Sequence, residues 1–295
     1  MKIGVVGSIN IDLVIKTSRI PKRGETLIGE SISKFSGGKG ANQAVAISRL
    51  GESVTIFGCV GKDQYGKYLL ENLKSENVNV SHVKEIEEVE SGMAIIMVSE
   101  NDNSIIVLPG ANEYVDKKYI DSIIDEILKC DLIIMQNEIS MDTVEYVVEI
   151  CYQNQLKVIL NPAPAKKISS ELISKISYLT PNEHEIKLIF ENDDVEDILK
   201  TYSEKVIMTE GDKGVKFAIN SSEVISVASR KSKVVDTTGA GDTFNGAFCV
   251  GLGKGKGLIE CIRFANIAAG LSTEKFGAQS GMPYLNDVLS ELDGN

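Results

Sequence analysis

The chain has 295 residues, 43% of them hydrophobic, and its 31 basic residues stand against 42 acidic ones for a net charge of −11. That balance, without any basic run of five or more, argues against nucleic acid as the main partner. The apolar share is enough for a sizeable core in one large α/β domain or two smaller ones. An anionic substrate would need its own local positive field, from helix N-termini, a lysine or a metal ion. Five cysteines (59, 130, 151, 249 and 261) without a C-x-x-C pair suggest neither a disulfide framework nor a zinc site. Two histidines, His82 and His184, leave little material for a histidine metal centre or a Ser-His triad. No basic-then-apolar leader opens the sequence and no apolar run approaches about 18 residues, so a reduced, cytoplasmic protein without membrane contact is expected.

The first apolar run, Ile3 to Val6, closes at Gly7 and leads into S-I-N-I-D. This places Asn10 and Asp12 just past a strand's C-terminal end, the edge at which open parallel sheets bind ligands. Residues 11–35 hold short β-type pieces, Leu13-Val14-Ile15, Thr26-Leu27-Ile28 and Ser31-Ile32-Ser33, broken by Pro21 and Gly24, and no crossover helix fits there. Residues 92–108 carry M-A-I-I-M-V and S-I-I-V-L around the polar turn E-N-D-N, a hairpin pattern. These two segments are expected to pair as a small sheet standing apart from the main one. Between them, F-S-G-G-K-G-A-N-Q-A-V-A-I-S-R-L-G reads as a glycine turn feeding a helix. Ala44, Ile47 and Leu50 share one face of it, Gly51 stops it, and Lys39 and Asn42 sit in its entry turn. A Walker A loop is excluded, because Gly40 follows Lys39 where Ser or Thr is required.

From Asp116 onward, helices at 117–128 and 141–153 alternate with strands at Leu132 to Met135, Val158 to Leu160 and Tyr178-Leu179. The alternation implies βαβ units and a mainly parallel sheet with helices on both faces. Strand ends again carry polar residues: Glu138 in Q-N-E, Asn161 in N-P-A-P-A, and Asn182 and Glu185 in T-P-N-E-H-E. A further β group is expected at 205–209, 214–219 and 223–227, with Thr209 and Gly211 at one turn, before a helical C-terminal third. Gly251 to Gly257 misses the G-x-G-x-x-G spacing, since Lys256 takes the third glycine position, and reads as a loop between helices.

The most informative stretch is V-V-D-T-T-G-A-G-D-T-F-N-G-A-F-C-V, residues 234–250. It reads as a strand end at Val234 and Val235, a glycine turn from Asp236 to Gly241, and a helix with Phe244, Ala247 and Phe248 at helical spacing. Gly239 and Gly241 expose backbone N–H groups at the positive end of that helix, which makes an anion site. A carboxylate in the first turn, Asp242, suggests transfer chemistry: it accepts a proton from an attacking hydroxyl while the turn stabilises a migrating phosphoryl group. Each residue alone has a plainer reading. Asp242 could serve the helix dipole, Asp12 and Glu138 turns and caps, Lys39 solvent, and Asn182 the helix after Pro181. Their joint position along one sheet edge favours a site, and Asn10, Asp12, Asn42 and Glu138 suit bidentate binding of sugar hydroxyls. The turn at Asp236 and Thr238 could also wrap a weakly hydrated cation such as K⁺, through the Asp236 carboxylate and the Thr238 carbonyl.

The string D-T-T-G-A-G-D-T-F-N-G-A-F resembles the C-terminal signature of the ribokinase-like carbohydrate kinases. G-S-I-N-I-D, G-G-K-G-A-N-Q-A-V-A, N-P-A-P-A, T-P-N-E-H-E, T-E-G-D-K-G, R-F-A-N and G-A-Q are similar to the family in the same order, over nearly the whole chain. The resemblance implies ATP-dependent phosphorylation of D-ribose at its 5-hydroxyl. Asp242 would be the base, with Gly239, Ala240 and Gly241 as the anion hole and Asn10, Asp12, Gly38, Lys39, Asn42 and Glu138 around the sugar. For ATP it implies Asn182, Glu185, the turn of Thr209, Glu210, Gly211, Asp212, Lys213 and Gly214, and Asn266 near the adenine. Glu185 would organise Mg²⁺ and phosphate through water. For an activating K⁺ it adds Ser272, Lys275, Gly277 and a ligand near Gly281, where the family tends to offer a serine. It also implies a three-layer fold over 1–295 as a single α/β domain, with a small β-sheet lid at roughly 11–35 and 92–108 and a homodimer through the lids. Relatives acting on fructose, deoxyribose, adenosine or other sugars and nucleosides share the motif. A sugar-binding sensor without catalysis is disfavoured by Asp242 standing with both glycines.

Overall fold

The computed structural model describes residues 1–99 and 102–293. Its strands are β1 (Lys2–Val6), β2 (Asn10–Lys16), β3 (Ser31–Gly37), β4 (Ser53–Phe57), β5 (Cys59–Gly61), β6 (Lys84–Ile86), β7 (Gly92–Ser99), β8 (Asp102–Leu108), β9 (Leu132–Gln136), β10 (Lys157–Asn161), β11 (Tyr178–Leu179), β12 (Met208–Thr209), β13 (Val215–Ala218) and β14 (Val224–Val227). The helices are α1 (Lys39–Arg49), α2 (Gln64–Ser75), α3 (Lys117–Ile127), α4 (Met141–Gln153), α5 (Ser170–Lys175), α6 (Glu185–Phe190), α7 (Val195–Thr201), α8 (Ala240–Gly253), α9 (Leu258–Ser272), α10 (Ala278–Gly281) and α11 (Leu285–Asp293).

A parallel sheet in the order β11-β10-β9-β1-β4 forms the centre. Single parallel bridges, Leu179 to Val206 and Asn182 to Thr209, carry its edge on to the antiparallel β12-β13-β14 group. Burial on both faces explains the near-continuous apolar runs of these strands. Ile3, Val5, Leu132 and Ile134 point to a cluster shared with α1, α2, α8 and α9, while Val6, Ile133 and Met135 point to one shared with α3, α4, α5, α6 and α7. Each fully buried Phe or Ile in these layers, such as Phe248 or Ile134, contributes about 1.5–3 kcal/mol. The three layers and the mainly parallel sheet agree with the expected class.

β3-β2-β7-β8 form a separate four-stranded sheet, antiparallel at β2–β3 and β7–β8 and parallel at β2–β7. This is the small sheet expected from residues 11–35 and 92–108; Glu100 and Asn101 of the E-N-D-N turn lie outside the described residues.

Two local expectations fail. Thr26-Leu27-Ile28 is not a strand, because the edge of β2 is filled by β3, and Ile28 is 94% exposed. Val234 and Val235 do not end a strand either. Both are 59% exposed, and the N–H groups of Val235 and Asp236 instead donate to the carbonyl of Thr273 after α9. Two adjacent valines carry no period that separates a strand from an extended crossing. Asn10 and Asp12 lie past β1 as expected, on the first residues of β2.

The site depends on one close helix crossing. A Cβ on Gly246 of α8 would stand 2.7 Å from the Cβ of Ala46 and 3.1 Å from the carbonyl oxygen of Gln43. Only glycine lets α1 lie that near, and this closeness brings the first turn of α1 within reach of Asp242.

Candidate active site

Chain segments that leave the C-terminal ends of β1, β9, β10 and β11 meet the start of α1 and the start of α8 along one edge. Asp242, in the first turn of α8, is buried, and both of its oxygens accept amide N–H groups: Oδ2 from Nδ2 of Asn42 at 2.9 Å and Oδ1 from Nε2 of Gln43 at 3.1 Å. Burial pushes its pKa up, helped by Glu138, while Lys39 and the two amides pull it down; the net direction is upward. A carboxylate shifted toward neutrality is a better proton acceptor at working pH than an ordinary one.

Gly239 caps α8 at φ 77°, a left-handed conformation that favours glycine. The N–H of Ala240 turns back to the carbonyl of Thr237 at 3.2 Å and that of Thr243 to Gly239 at 2.8 Å. Among the described residues, the first-turn N–H groups of Gly241 and Asp242 therefore remain as donors without a protein acceptor. This narrows the expected anion hole, in which Ala240 was to take part. A Cβ built on Gly241 meets nothing within 4 Å, so the helix start opens onto free space.

Glu138, beyond β9, accepts from the hydroxyl of Ser8 and from the N–H of Lys39 at 2.9 Å. Gly38, at φ 86°, permits this turn, since a Cβ there would stand 2.7 Å from the backbone nitrogen of Asn10. Lys39 is not the solvated side chain of the plain reading. Burial pulls its pKa down, but the fields of Asp242, Glu138, Glu185 and Asp12 outweigh that and raise it. Asn10 Oδ1 accepts from Asn112 Nδ2 at 2.7 Å. Asn10, Asn112 and Glu138 line a cavity of about 530 Å³, together with Val107, Ile139 and Lys166.

Asp12 is pushed up to about 7, by burial first and by Glu138 and Asp242 next, with Lys39 opposing. A carboxyl group with a raised folded pKa binds its proton more tightly in the native state. Its burden on stability is therefore absent below about pH 4 and grows until the pH passes about 7. Asp12→Asn is accordingly expected to raise Tm at pH 8 and to raise it less at pH 5; an equal or reversed difference in calorimetry at the two pH values would contradict this.

On the far side, Asn182 does cap α6: its Oδ1 accepts from the N–H groups of His184 and Glu185, and Glu185 Oε2 accepts from the N–H of Asn182 at 2.8 Å. The plain reading thus holds for Asn182, and the same bonds hold the Glu185 carboxylate toward Lys39. Thr209, Glu210, Gly211, Asp212, Lys213 and Gly214 form the turn from β12 to β13, with Gly211 at φ 56° and Gly214 at φ 102°. Asn266 spends both amide hydrogens on the carbonyls of Val227 (3.0 Å) and Ala228 (3.1 Å), so it anchors α9 to the end of β14.

Asp236 accepts from the N–H and Oγ1 of Thr238 and from the N–H of Gly277; burial raises its pKa, but these donors outweigh it and hold it low. A Cβ at Gly281 would stand 2.3 Å from the carbonyl oxygen of Ser272 and 3.4 Å from that of Lys275. Gly281 thus lets these carbonyls close in where a serine would not fit. The hydroxyl of Ser280 donates to the carbonyls of Phe276 and Gly277. One carboxylate among backbone carbonyls is a donor set that fits a large monovalent cation. Among the described residues, no three or more His, Cys, Asp or Glu side chains are grouped to hold a metal ion by themselves. The half-buried Glu185 carboxylate fits Mg²⁺ as one ligand among water and phosphate oxygens.

Sequence reasoning missed Gln43, Gln136, Asn112 and Gln279. Gln43 was within reach, being next to Asn42 in the entry turn of α1; Asn112 follows β8 in a short P-G-A-N turn of the kind that carries sites elsewhere in the chain.

A buried carboxylate at a glycine-opened helix start, beside a polar cavity at the C-terminal edge of a parallel sheet, is the layout of a phosphotransferase acting on hydroxyl groups. The pfkB family carbohydrate kinase model matches residues 1–285, and the chain belongs to that family. It is 45% identical over 284 residues to the ribokinase of Bacillus subtilis, covering 96% of this chain and 97% of that protein. The ribokinase of Lactococcus lactis is 45% identical over 292 residues, covering 99% and 97%. The solved structure of Arabidopsis thaliana ribokinase complexed with ribose and ATP superposes with a TM-score of 0.91 at 31% identity, over 98% of each chain.

Proposed function

We propose that this chain transfers the γ-phosphoryl group of ATP to the 5-hydroxyl of D-ribose. The single observation that carries the reading is the position of Asp242. It is a buried carboxylate of raised pKa in the first turn of α8, beside two N–H donors without protein acceptors. Ribose is held by Asn10, Asp12, Gly38, Lys39, Asn42 and Glu138, with Asn112 bracing Asn10. Asp242 takes the proton of the 5-hydroxyl as that oxygen attacks phosphorus. The donors at Gly241 and Asp242, set by Gly239 and Ala240, stabilise charge on the transferring group. Lys39 offsets the carboxylates that surround it and attracts the phosphates. Glu185, positioned by Asn182, would hold Mg²⁺ through water, and the ion would supply neutralisation of charge on the phosphates. The turn Thr209 to Gly214 holds the nucleotide, and Asn266 shapes the adenine side by fixing the end of β14. The test is a coupled ATP-consumption assay over pentoses, hexoses and nucleosides. Ribose is expected to give the highest kcat/KM, and far better turnover of fructose, deoxyribose or adenosine would reject ribose while leaving a kinase.

The loop pair at Asp236 and Ser272 to Gly281 is the proposed K⁺ site, with Asp236, Thr238, Ser272, Lys275, Gly277 and the backbone near Gly281 as ligands. Occupancy would hold the turn before Gly239 in its catalytic geometry, which is preorganisation. Turnover is expected to be higher in K⁺ than in Na⁺ or tetramethylammonium at equal ionic strength, with Asp236→Ala removing the difference. Equal rates in the three salts, with protein freed of K⁺ beforehand, would discard the site.

The chain acts as one α/β domain in this reading, and the four-stranded sheet is its lid over the sugar. The sheet exposes Ile32, Ile105 and Ile106, which favours a homodimer through the lids; sedimentation as a monomer at working concentration would contradict it. No helix among the described residues is long and apolar enough to cross a membrane, in keeping with a cytoplasmic enzyme.

A further inference from the structure

The buried polar network behind Asp242 has a direction. An ionised carboxylate only accepts hydrogen bonds, so an amide facing it must present its nitrogen. With Nδ2 of Asn42 on the carboxylate, Asn42 Oδ1 faces the other way, and Nε2 of Gln279 donates to it at 3.0 Å. Gln279 Oε1 then faces Nδ2 of Asn72, which donates at 2.8 Å. The second oxygen of Asp242 repeats the pattern: Gln43 gives its nitrogen to the carboxylate, and its Oε1 accepts from Nε2 of Gln136 at 2.6 Å.

Gln279 touches neither the carboxylate nor the cavity. It sits in the four-residue α10, and this short element is clamped from outside. Nη1 of Arg49 donates to the carbonyls of Gln279 at 2.6 Å and Met282 at 2.9 Å, while Nε and Nη2 of Arg49 bind both oxygens of Glu76. Asp242, Asn42 and Gln279 are 7%, 6% and 8% exposed, so each has few partners to choose from apart from the others. An amide such as Asn42 can rotate by half a turn with little change of shape, and its chemistry inverts when it does.

We propose that Gln279 is a positioning residue for the base: by donating to Oδ1 of Asn42, it keeps the amide nitrogen of Asn42 on Asp242. An acceptor in place of that donor would compete with Asp242 for the nitrogen of Asn42; an Asn42 turned toward it would set its oxygen against the carboxylate, where two acceptors face each other and the base loses its set position. This rests on Asp242 being the base, as read above.

Two near-isosteric variants test it. Gln279→Met keeps the volume and loses both hydrogen bonds but exerts no pull on Asn42. Gln279→Glu still accepts from Asn72, and its carboxylate, when ionised, can only accept from Asn42, which draws Nδ2 off the base. At pH 8.5, positioning by polarity is expected to make Glu the worse variant, lowering kcat about 10- to 100-fold, with Met closer to wild type. If Gln279 only packs, the two variants differ in Tm but not in the kcat of the folded protein, and equal kcat values overturn the proposal. A second measurement needs no turnover. With Asp242→Asn, the facing amide can offer its own N–H to a turned Asn42, so Gln279→Glu is expected to lower Tm less in that background than in wild type. Equal losses in both backgrounds overturn the proposal even if no sugar is phosphorylated, whereas a wild type inactive on every sugar with unequal Tm losses removes only the kinase reading.

Discussion

Asp242→Asn is expected to lower turnover by about 10²- to 10⁴-fold, the range for loss of a general base. Asparagine keeps the size of the side chain but cannot take the proton of an attacking hydroxyl. The variant should nonetheless fold. Burial is what raises the Asp242 pKa, so removing the charge relieves a cost that the wild type carries at neutral pH. Against this, Asn42 and Gln43 both donate to the carboxylate, and one of them must find a new orientation opposite an amide. Melting near the wild-type temperature with turnover lost is the expected pair of results. Near wild-type turnover would remove Asp242 from the mechanism.

Gly241→Ala is expected to separate function from stability in the same turn. A Cβ at 241 meets nothing within 4 Å, and alanine is the better helix former by about 1 kcal/mol, so Tm should hold or rise. The added methyl group would stand beside the free N–H groups of Gly241 and Asp242, where the transferring phosphoryl group has to approach. Turnover should fall by about 10²- to 10³-fold, as when an oxyanion donor is lost. Gly239→Ala makes the control. Its φ of 77° disfavours any side chain and its Cβ would stand 2.8 Å from that of Ala278, so this variant should lose stability as well. Full activity in folded Gly241→Ala would move the anion hole elsewhere.

The fold was legible where burial imposes a period. β1 and β9 are covered on both faces and read as continuous apolar runs, and α1 and α4 carry their apolar residues at helical spacing. The buried carboxylate and its turn were legible because they are local: Gly239 to Asp242 lie in four consecutive residues, and the close-lying Asn42 sits at another glycine-led helix start. What escaped is what the packing alone assembles. Gln43, Gln136 and Gln279 meet around Asp242 from three separate elements, and glutamines in helices and strand ends look like ordinary surface residues until α1 is seen lying against Gly246. The inward turn of both Asn266 donors to the end of β14 is likewise a choice no sequence spacing records. Val234 and Val235 misled for the opposite reason: they are apolar residues left exposed on an extended crossing to Thr273.

In the proposed reaction the γ-phosphoryl group of ATP passes to the 5-hydroxyl of ribose with Asp242 as base. The most direct measurement is ³¹P and ¹³C NMR of the product formed from [5-¹³C]ribose and ATP by the wild type and by Asp242→Asn. The expected result is a phosphate ester whose phosphorus couples to the labelled C5 carbon, formed in step with ADP by the wild type and almost absent with the variant. Ester formation at another carbon, release of free phosphate without a sugar ester, or equal product from both proteins would contradict the account.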